Sequence, residues 1–172
     1  MSIMQPMRFV VLVVLLMFVA EAAMAEFPQR KAGMWQIATV LKGDTVGQLI
    51  KQCIDGTTDE KMARLARMMN ERPGTVCVKN ERKKDQARYL TETDCTFRGI
   101  RIRTQGVLEG DFDKAYSGWT IMRYEPAIKG MSEQHMNIEA EWMGACKPWQ
   151  KAGDMEMPDG SVMNIDDVLK QY

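Results

Sequence analysis

The stretch Val76–Phe97, VCVKNERKKDQARYLTETDCTF, holds a charged run between two arms of strand-forming residues, and each arm contains one cysteine. Valine, tyrosine and threonine favour strands, whereas the run Arg82–Asp85 is typical of a solvated turn. The stretch therefore predicts a β-hairpin. Because Cys77 and Cys95 lie at similar distances from the turn, the hairpin would bring them level and within reach of a disulfide.

The other two cysteines are Cys53 and Cys146, and four cysteines allow three pairings. On a simple up-and-down path all four fall near one end of the sheet, so this geometry excludes no pairing. We favour Cys77 with Cys95 and Cys53 with Cys146, the latter tying the first hairpin to the last strand. Cys77 shares strand parity with the polar Lys79, so pairing within the hairpin would need a β-bulge to repair the register. Cys53 with Cys77 across the intervening helix is the alternative.

Residues 1–25 have the organisation of a secretory signal peptide. Arg8 precedes an apolar run of twelve residues, Phe9–Ala20, and an Ala-x-Ala site ends at Ala25. Twelve residues are too few to cross about 30 Å of hydrocarbon as a helix. We therefore expect cleavage after Ala25 and export to the periplasm, where an even number of cysteines indicates disulfides. An uncleaved N-terminal anchor is the alternative.

The rest of the chain is predicted to form a disulfide-bonded β-domain at residues 26–147 and an acidic appendage at residues 148–172. Apolar and polar residues alternate most clearly over Ser132–Met143, which is typical of a strand with one buried face. Further strand signals lie at Gly33–Lys42, Gln48–Ile54, Ile100–Gln105 and Tyr116–Tyr124. Strands at such short intervals favour a mainly β fold, an antiparallel curled sheet or a small barrel-like meander.

One α-helix is inserted among the strands, at about residues 58–71. Thr57 and Glu60 have the spacing of a capping box at its start. A short C-terminal helix is expected to begin after Asn164, whose side chain can cap it. The segment before the first strand, residues 26–32, is expected to be an extended polar leader.

The chain has 23 basic and 23 acidic residues, and removal of residues 1–25 leaves 22 of each. A neutral domain has no overall field that would attract nucleic acid, so nucleic-acid binding is not expected. A cluster of basic residues near the hairpin is expected to be solvated, the alternative being a patch for anionic lipid or polysaccharide. Its members are Arg82, Lys83, Lys84, Arg88, Arg101 and Arg103.

The order of several landmarks resembles that of a known family. Gly33-Met34-Trp35 opens the first strand, Gln52-Cys53 precedes the helix, Cys77 and Cys95 flank a hairpin, and methionine-rich strands end at Cys146. This order is similar to the domain-of-unknown-function family 3617, which consists of small exported bacterial proteins, over roughly residues 31–147. The resemblance implies a periplasmic location. It carries no established activity and transfers no functional residues.

The residues favour a binding protein over an enzyme. His135 is the single histidine and lies on a polar strand face, and no nucleophile or orienting acid can be assigned to it. We expect a non-enzymatic periplasmic protein without a cofactor that binds an apolar or amphipathic ligand, or an envelope partner, in a concavity of the sheet. The residues expected to line that concavity are Trp119, Met122, Tyr124, Met136 and Trp142.

A Cu(I)-binding periplasmic protein is the alternative function. The chain after residue 25 has eleven methionines, and thioether sulfur with imidazole suits Cu(I). The candidate ligands are Met131, His135, Met136, Met155 and Met157. Packing in an irregular core is the competing explanation for the methionines. In addition, His135 and Met136 would face opposite sides of one strand.

Overall fold

The computed structural model describes residues 27–44, 47–70 and 72–171, and the expected signal peptide lies outside these ranges. Within them, nine strands form one open antiparallel sheet, helix α1 connects β2 to β3, and a short helix α2 follows β9. The elements are β1 Gly33–Leu41, β2 Gln48–Ile54, α1 Gly56–Asn70, β3 Val76–Asp85, β4 Arg88–Phe97, β5 Ile100–Asp111, β6 Ala115–Ile128, β7 Met131–Gly144, β8 Asp154–Glu156, β9 Val162–Asn164 and α2 Ile165–Leu169. The predicted mainly β fold with one inserted helix and one short C-terminal helix is confirmed.

The strand order in the sheet is β3-β4-β5-β6-β7-β1-β2-β8-β9. Strands β3 to β7 form a meander of sequence neighbours, whereas β1 lies between β7 and β2. Trp35 of β1 pairs with Trp142 on one side and with Gln52 on the other. The first strand of the chain is therefore hydrogen-bonded along both of its edges.

The two faces of the sheet carry different side chains. Ile138 and Ala140 of β7 share a face with Ile37 of β1, and α1 packs over this inner face. Glu139 and Glu141 lie on the opposite, outer face. The alternation predicted for the last long strand is thus the alternation that the structure contains.

Strands β3 and β4 form the predicted hairpin, with Cys77 directly opposite Cys95. The charged run Arg82–Asp85, expected to be the turn, lies in β3 instead, and residues 86 and 87 form the turn. The register shifts between Cys77 and Lys79, which makes Val78 a bulge. The extra residue reverses strand parity, so Cys77 lies on the inner face and Lys79 on the outer one. This bulge allows the disulfide between Cys77 and Cys95.

Cys53 bonds Cys146, so the pairing in the structure is the favoured one. The expectation that all four cysteines lie near one end of the sheet is wrong. Helix α1 carries the chain back along the inner face, so β3 begins at the end opposite the one where β2 finishes. Cys53 and Cys146 lie at the end where β1 begins, called here the first end. Cys77 and Cys95 lie at the second end, which separates Cys53 from Cys77.

The buried core is small and lies at the first end. Trp35, Ile54 and Ala140 are buried together, and Ile37 and Met62 pack against them. Because Met62 belongs to α1, this cluster holds the helix to the sheet. Most of the remaining inner face is half-buried.

Helix α1 begins at Gly56, and its capping box starts at Asp55 rather than at Thr57. The Thr58 backbone N–H donates to Asp55 Oδ1 at 2.8 Å, and the Asp55 backbone N–H donates to Thr58 Oγ1 at 2.8 Å. The predicted box was two residues late because aspartate caps a helix at least as well as threonine. The same three-residue spacing therefore occurs twice in this segment.

Replacing Asp55 with alanine is expected to lower the free energy of unfolding by about 1 kcal/mol, the usual contribution of an N-cap side chain. Hydrogen bonds from the Thr58 backbone and hydroxyl hold the pKa of Asp55 below its ordinary value of 3.8. The stabilisation is therefore complete above the ordinary pKa and is lost as pH falls through the lowered pKa. Urea unfolding of the Asp55→Ala variant as a function of pH measures both effects. Asp55→Asn, which caps without titrating, is the control, and a pH-independent loss in Asp55→Ala would contradict the assignment.

The acidic appendage extends the sheet at its β2 edge. β8 pairs with β2, and β9 pairs with β8. Asn164 caps α2 as predicted, since its Oδ1 accepts the Asp166 backbone N–H at 3.0 Å, and Ile165 is fully buried. In the part of the chain that the structure describes, no helix is long and apolar enough to cross a membrane.

Candidate ligand-binding site

A cavity of 480 Å³ lies between helix α1 and the inner face of the sheet. This volume falls within the range of about 300–1,000 Å³ that is common for small-molecule sites. Its sheet wall combines apolar and aromatic side chains with one amide. These residues are Ile37, Gln52, Leu108, Tyr116 and Ile138, with Phe112 from the turn between β5 and β6.

The helix wall is one side of α1. Asp59, Met62, Ala63 and Arg67 recur at intervals of three or four residues, which places them on the same helix face. Met62 and Ala63 supply apolar surface in the middle of this wall. A charged residue lies toward each end of it.

Leu108 lies flat against the sheet because its neighbour on β6 is Gly118. A Cβ atom at Gly118 would come within 2.5 Å of Leu108 Cδ2 and within 2.3 Å of the Val107 carbonyl oxygen. Glycine at this position therefore leaves room for the leucine. It also leaves more space between the sheet and helix α1.

A row of aromatic rings crosses the inner face at the first end. Trp35 and Tyr116 have ring centroids 5.5 Å apart, and Phe112 stacks on Tyr116 at 4.9 Å. Tyr89 meets Phe112 edge-on at 5.5 Å. Such pairs contribute about 0.5–1.5 kcal/mol beyond the area that they bury. The row joins β1 to β4, which are not adjacent in the sheet.

The segment predicted as a polar leader supplies the remaining wall, through Phe27, Pro28, Gln29 and Arg30. Two indole groups hold it in place. Trp35 Nε1 donates to the Lys31 carbonyl oxygen at 2.8 Å, and Trp142 Nε1 donates to the Ala32 carbonyl oxygen at 3.1 Å. The Lys31 backbone N–H also donates to the Phe112 carbonyl oxygen at 2.9 Å. The segment is therefore part of the folded domain.

Arg30 fastens this segment to the helix. Its Nε and Nη2 donate to Asp59 Oδ1 at 2.8 and 2.6 Å, and its backbone N–H donates to Asp59 Oδ2 at 2.7 Å. Its Nη1 donates to Gln52 Oε1 at 3.0 Å. The Arg30 and Asp59 side chains are only 9% and 7% exposed. The pair thus satisfies its own charges inside the protein, as a buried ion pair must.

Burial raises the pKa of the Tyr116 phenol, and the nearby Arg30 guanidinium opposes part of that rise. Tyr116 is therefore neutral at physiological pH. At this end the cavity offers a neutral phenol, an amide and a compensated ion pair. Such groups orient a ligand by hydrogen bonds and do not form an acid–base pair.

The five residues expected to line a concavity do not line this cavity. Trp119 lies on the outer face and is 41% exposed, since it pairs with Val107 and Asn137. The other four lie on the inner face, Trp142 at the first end and the rest toward the second. They are Met122, Tyr124, Met136 and Trp142.

The candidate copper ligands are not brought together. His135 and Met136 lie on opposite faces of β7, and His135 contacts Glu133. Met155 pairs with Gln52 of β2, two strands beyond β7 and near the first end, while Met131 and Met136 lie toward the second end. Met157 is the first residue after β8. The described residues also hold no group of three or more His, Cys, Asp or Glu placed to bind a metal ion.

Most of the basic cluster is neutralised by neighbouring carboxylates. Exposed pairs of this kind contribute about 0–1 kcal/mol to stability and reduce the local field. The pairs are Lys83 with Glu81, Arg88 with Asp85, Arg101 with Asp94, and Arg103 with Glu125. The interpretation as a solvated, paired surface is therefore the one that the contacts support.

Sequence reasoning selected none of the residues that line the cavity, among them Arg30, Asp59, Arg67 and Leu108. Strand alternation identifies the inner face, and helical spacing identifies one side of α1. Neither pattern shows that Arg30 reaches Asp59 across 29 positions of the chain. That contact depends on where α1 is placed over the sheet.

A family described as proteins of unknown function, DUF3617, matches residues 30–146, which is more than half of the chain. The protein belongs to DUF3617. No curated protein and no solved structure matches the chain.

The DUF3617 region begins at Arg30 and ends at Cys146, so it contains the Arg30–Asp59 pair and both disulfides. The Gly33-Met34-Trp35 landmark has a physical basis in the structure. Gly33 has φ of 136°, and a Cβ there would lie 2.4 Å from Trp142 Nε1. Glycine thus lets the indole of Trp142 reach the segment before β1. Strands β8 and β9 and helix α2 lie outside the DUF3617 region.

Proposed function

We propose that this DUF3617 protein is an exported periplasmic binding protein that holds an apolar or amphipathic ligand between α1 and the inner face. The cavity carries the proposal, because its middle is apolar on both walls, with Leu108 and Ile138 facing Met62 and Ala63. Burial of apolar ligand surface contributes about 25 cal/mol per Å². No enzymatic role is part of the proposal.

The polar groups at the first end support binding rather than turnover. Arg30 and Asp59 compensate each other, and Tyr116 is neutral, so none of them demands a charged ligand. The two disulfides are compatible with an oxidising compartment and hence with export. Removal of residues 1–25 would leave a chain that begins close to Phe27, at the cavity wall.

Replacing Leu108 with tryptophan is expected to abolish or greatly weaken ligand binding, because the larger ring would fill the space above the sheet. Val107→Trp is the matched control, since Val107 is the adjacent residue on β5 and faces the outer side, opposite Trp119. The measurement is the fluorescence titration of each purified protein with 1-N-phenylnaphthylamine, an uncharged apolar probe. We expect a loss of at least tenfold in affinity for Leu108→Trp and little change for Val107→Trp.

The native ligand is sought by intact mass measurement of the protein purified from periplasm, under native and then denaturing conditions. An adduct that disappears on denaturation, on a chain beginning at residue 26, is the expected result. A bare native mass together with no 1-N-phenylnaphthylamine binding would rule out the proposed function. Equal losses in both tryptophan variants would instead show that the probe does not report on this cavity.

A further inference from the structure

In the described part of the chain, some charged residues around the cavity have an oppositely charged partner, and others do not. Arg30 and Asp59 form the buried pair, and Glu60 is an exposed residue of the rim. Arg67 is half-buried in the wall, seven residues beyond Glu60 and about 10 Å further along the helix axis. Within the described ranges no carboxylate lies within ion-pair distance of Arg67, whereas twelve other ion pairs are formed there.

A second hollow, of 200 Å³, lies on the same inner face toward the second end. The C-terminal end of α1 and the segment after it form one wall through Met69 and Arg72, and β3 to β5 form the other. The ring of Phe27, which lines the cavity, packs against the guanidinium of Arg82, which lines the hollow, at 5.4 Å. The two spaces are therefore neighbours under one helix.

The walls of the hollow are basic and rich in hydrogen-bonding groups. Two arginines, three threonines and one asparagine contribute to them, and no aspartate or glutamate does so among the described residues. Arg82 and Asn80 already have interaction partners within the protein, so Arg72 and the threonines are the groups considered for a ligand. Guanidinium and hydroxyl groups together recognise carboxylate and phosphate oxygens. The polar members are Arg72, Thr75, Asn80, Arg82, Thr93 and Thr104.

We propose that the ligand is an amphiphile with an anionic headgroup, its apolar part in the 480 Å³ cavity and its carboxylate or phosphate at Arg67 and the basic hollow. This proposal rests on the proposed function and adds the class of ligand. Arg67 contacts the headgroup at the boundary between the two spaces, and Arg72 lies beyond it. Because Arg30 and Asp59 neutralise each other at the first end, the preference for an anionic ligand would come from Arg67 and Arg72, toward the second end.

The direct test compares cis-parinaric acid, a fluorescent fatty acid, with its uncharged methyl ester, both below their aggregation concentrations. Wild-type protein is expected to bind the acid about tenfold or more tightly than the ester, and added salt is expected to weaken only the acid. Arg67→Gln is expected to remove most of this preference, and Arg67→Lys to keep part of it. Competition by lysophosphatidic acid then shows whether phosphate or carboxylate is the better headgroup.

Arg64→Gln is the matched control, because Arg64 is an exposed arginine of the same helix that lines neither space. It should leave both affinities unchanged, and thermal melting verifies that each variant is folded. Equal binding of acid and ester in wild type, unaffected by Arg67→Gln, would overturn the headgroup assignment while leaving the apolar site in place. If neither compound binds and 1-N-phenylnaphthylamine also fails, the proposed function itself is wrong.

Discussion

Replacement of Asp59 with alanine is expected to lower the free energy of unfolding by about 3–5 kcal/mol, one of the two largest effects in this protein. The substitution removes the acceptor of three hydrogen bonds from Arg30 and leaves the guanidinium charge in a site where its side chain is 9% exposed. An uncompensated buried charge is much more costly than the loss of an exposed pair. Urea unfolding followed by tryptophan fluorescence measures the change, since Trp35 lies beside Arg30.

Asp166→Ala provides the matched control, because Asp166 also pairs with a basic residue of the chain, Lys61 of α1. That pair is exposed, with side chains 34% and 53% accessible, so its loss should cost no more than about 1 kcal/mol. The double variant Arg30→Met/Asp59→Leu should recover much of the stability that Asp59→Ala loses, because no charge remains buried. Similar losses in the free energy of unfolding for Asp59→Ala and Asp166→Ala would show that the buried charge of Arg30 does not need Asp59 to neutralise it.

The two disulfides are expected to contribute unequally to stability. Cys53 and Cys146 are separated by 93 positions and Cys77 and Cys95 by 18. In the chain-entropy treatment, loops of these lengths correspond to about 4–5 and about 3 kcal/mol respectively. Replacing both members of the Cys53–Cys146 pair with serine should therefore destabilise the protein more than the same change at Cys77–Cys95. Denaturant unfolding of the two double variants gives the comparison.

Accessibility should determine which bond is reduced first. Cys53 is 2% exposed, whereas Cys77 lies exposed at the start of the edge strand β3. Mild reductant followed by alkylation and peptide mass measurement should label Cys77 and Cys95 before the other pair, because thiol–disulfide exchange needs access to a sulfur. Prior labelling of Cys53, or an unchanged unfolding transition after complete reduction, would contradict this account.

Local patterns were sufficient for most of the sheet. The alternation over Ser132–Met143 identified the inner and outer faces of β7, because one face packs and the other meets water. The hairpin at Cys77 and Cys95 was predictable, and a bulge was recognised as the condition for its disulfide, because a direct cysteine pair fits the polar and apolar positions only if one residue is extra. Local patterns left Cys53 with Cys77 open as an alternative. These features depend on neighbours close in the chain.

Apart from the favoured Cys53–Cys146 bond, the features that depend on distant neighbours were not predicted. The end of the sheet at which β3 begins is set by the path of α1, and that path placed Cys77 far from Cys53. The polarity of residues 26–32 predicted an extended leader and did not indicate that Arg30 is neutralised by Asp59 and covered by the helix. Burial of a charged residue depends on its partner, so composition alone cannot show it.

The same limit applied to the candidate site. Trp and Met side chains are large, so they were the natural choice for a binding surface, and four of the five lie on the inner face. The open space, however, lies where small or flat-lying side chains meet the helix, as at Gly118 beneath Leu108. The volume of a cavity is the space that the side chains of its walls leave empty. It can be known only when the positions of both the helix and the sheet are known.

The location of β1 between β7 and β2 has a consequence for how the chain folds. Trp35 finds its partner Trp142 roughly 100 residues later, while the hairpins of the meander join immediate neighbours. Hairpins form in about 1–10 μs, whereas closing long loops makes folding slow. While the chain emerges with its N-terminus first, β1 can pair with β2 but keeps its other edge unpaired until β7, near the end of the DUF3617 region, has emerged. The unpaired edge of β1 is thus a part of the nascent chain that can pair with a wrong strand, and a chaperone that assists this chain would need to protect that edge.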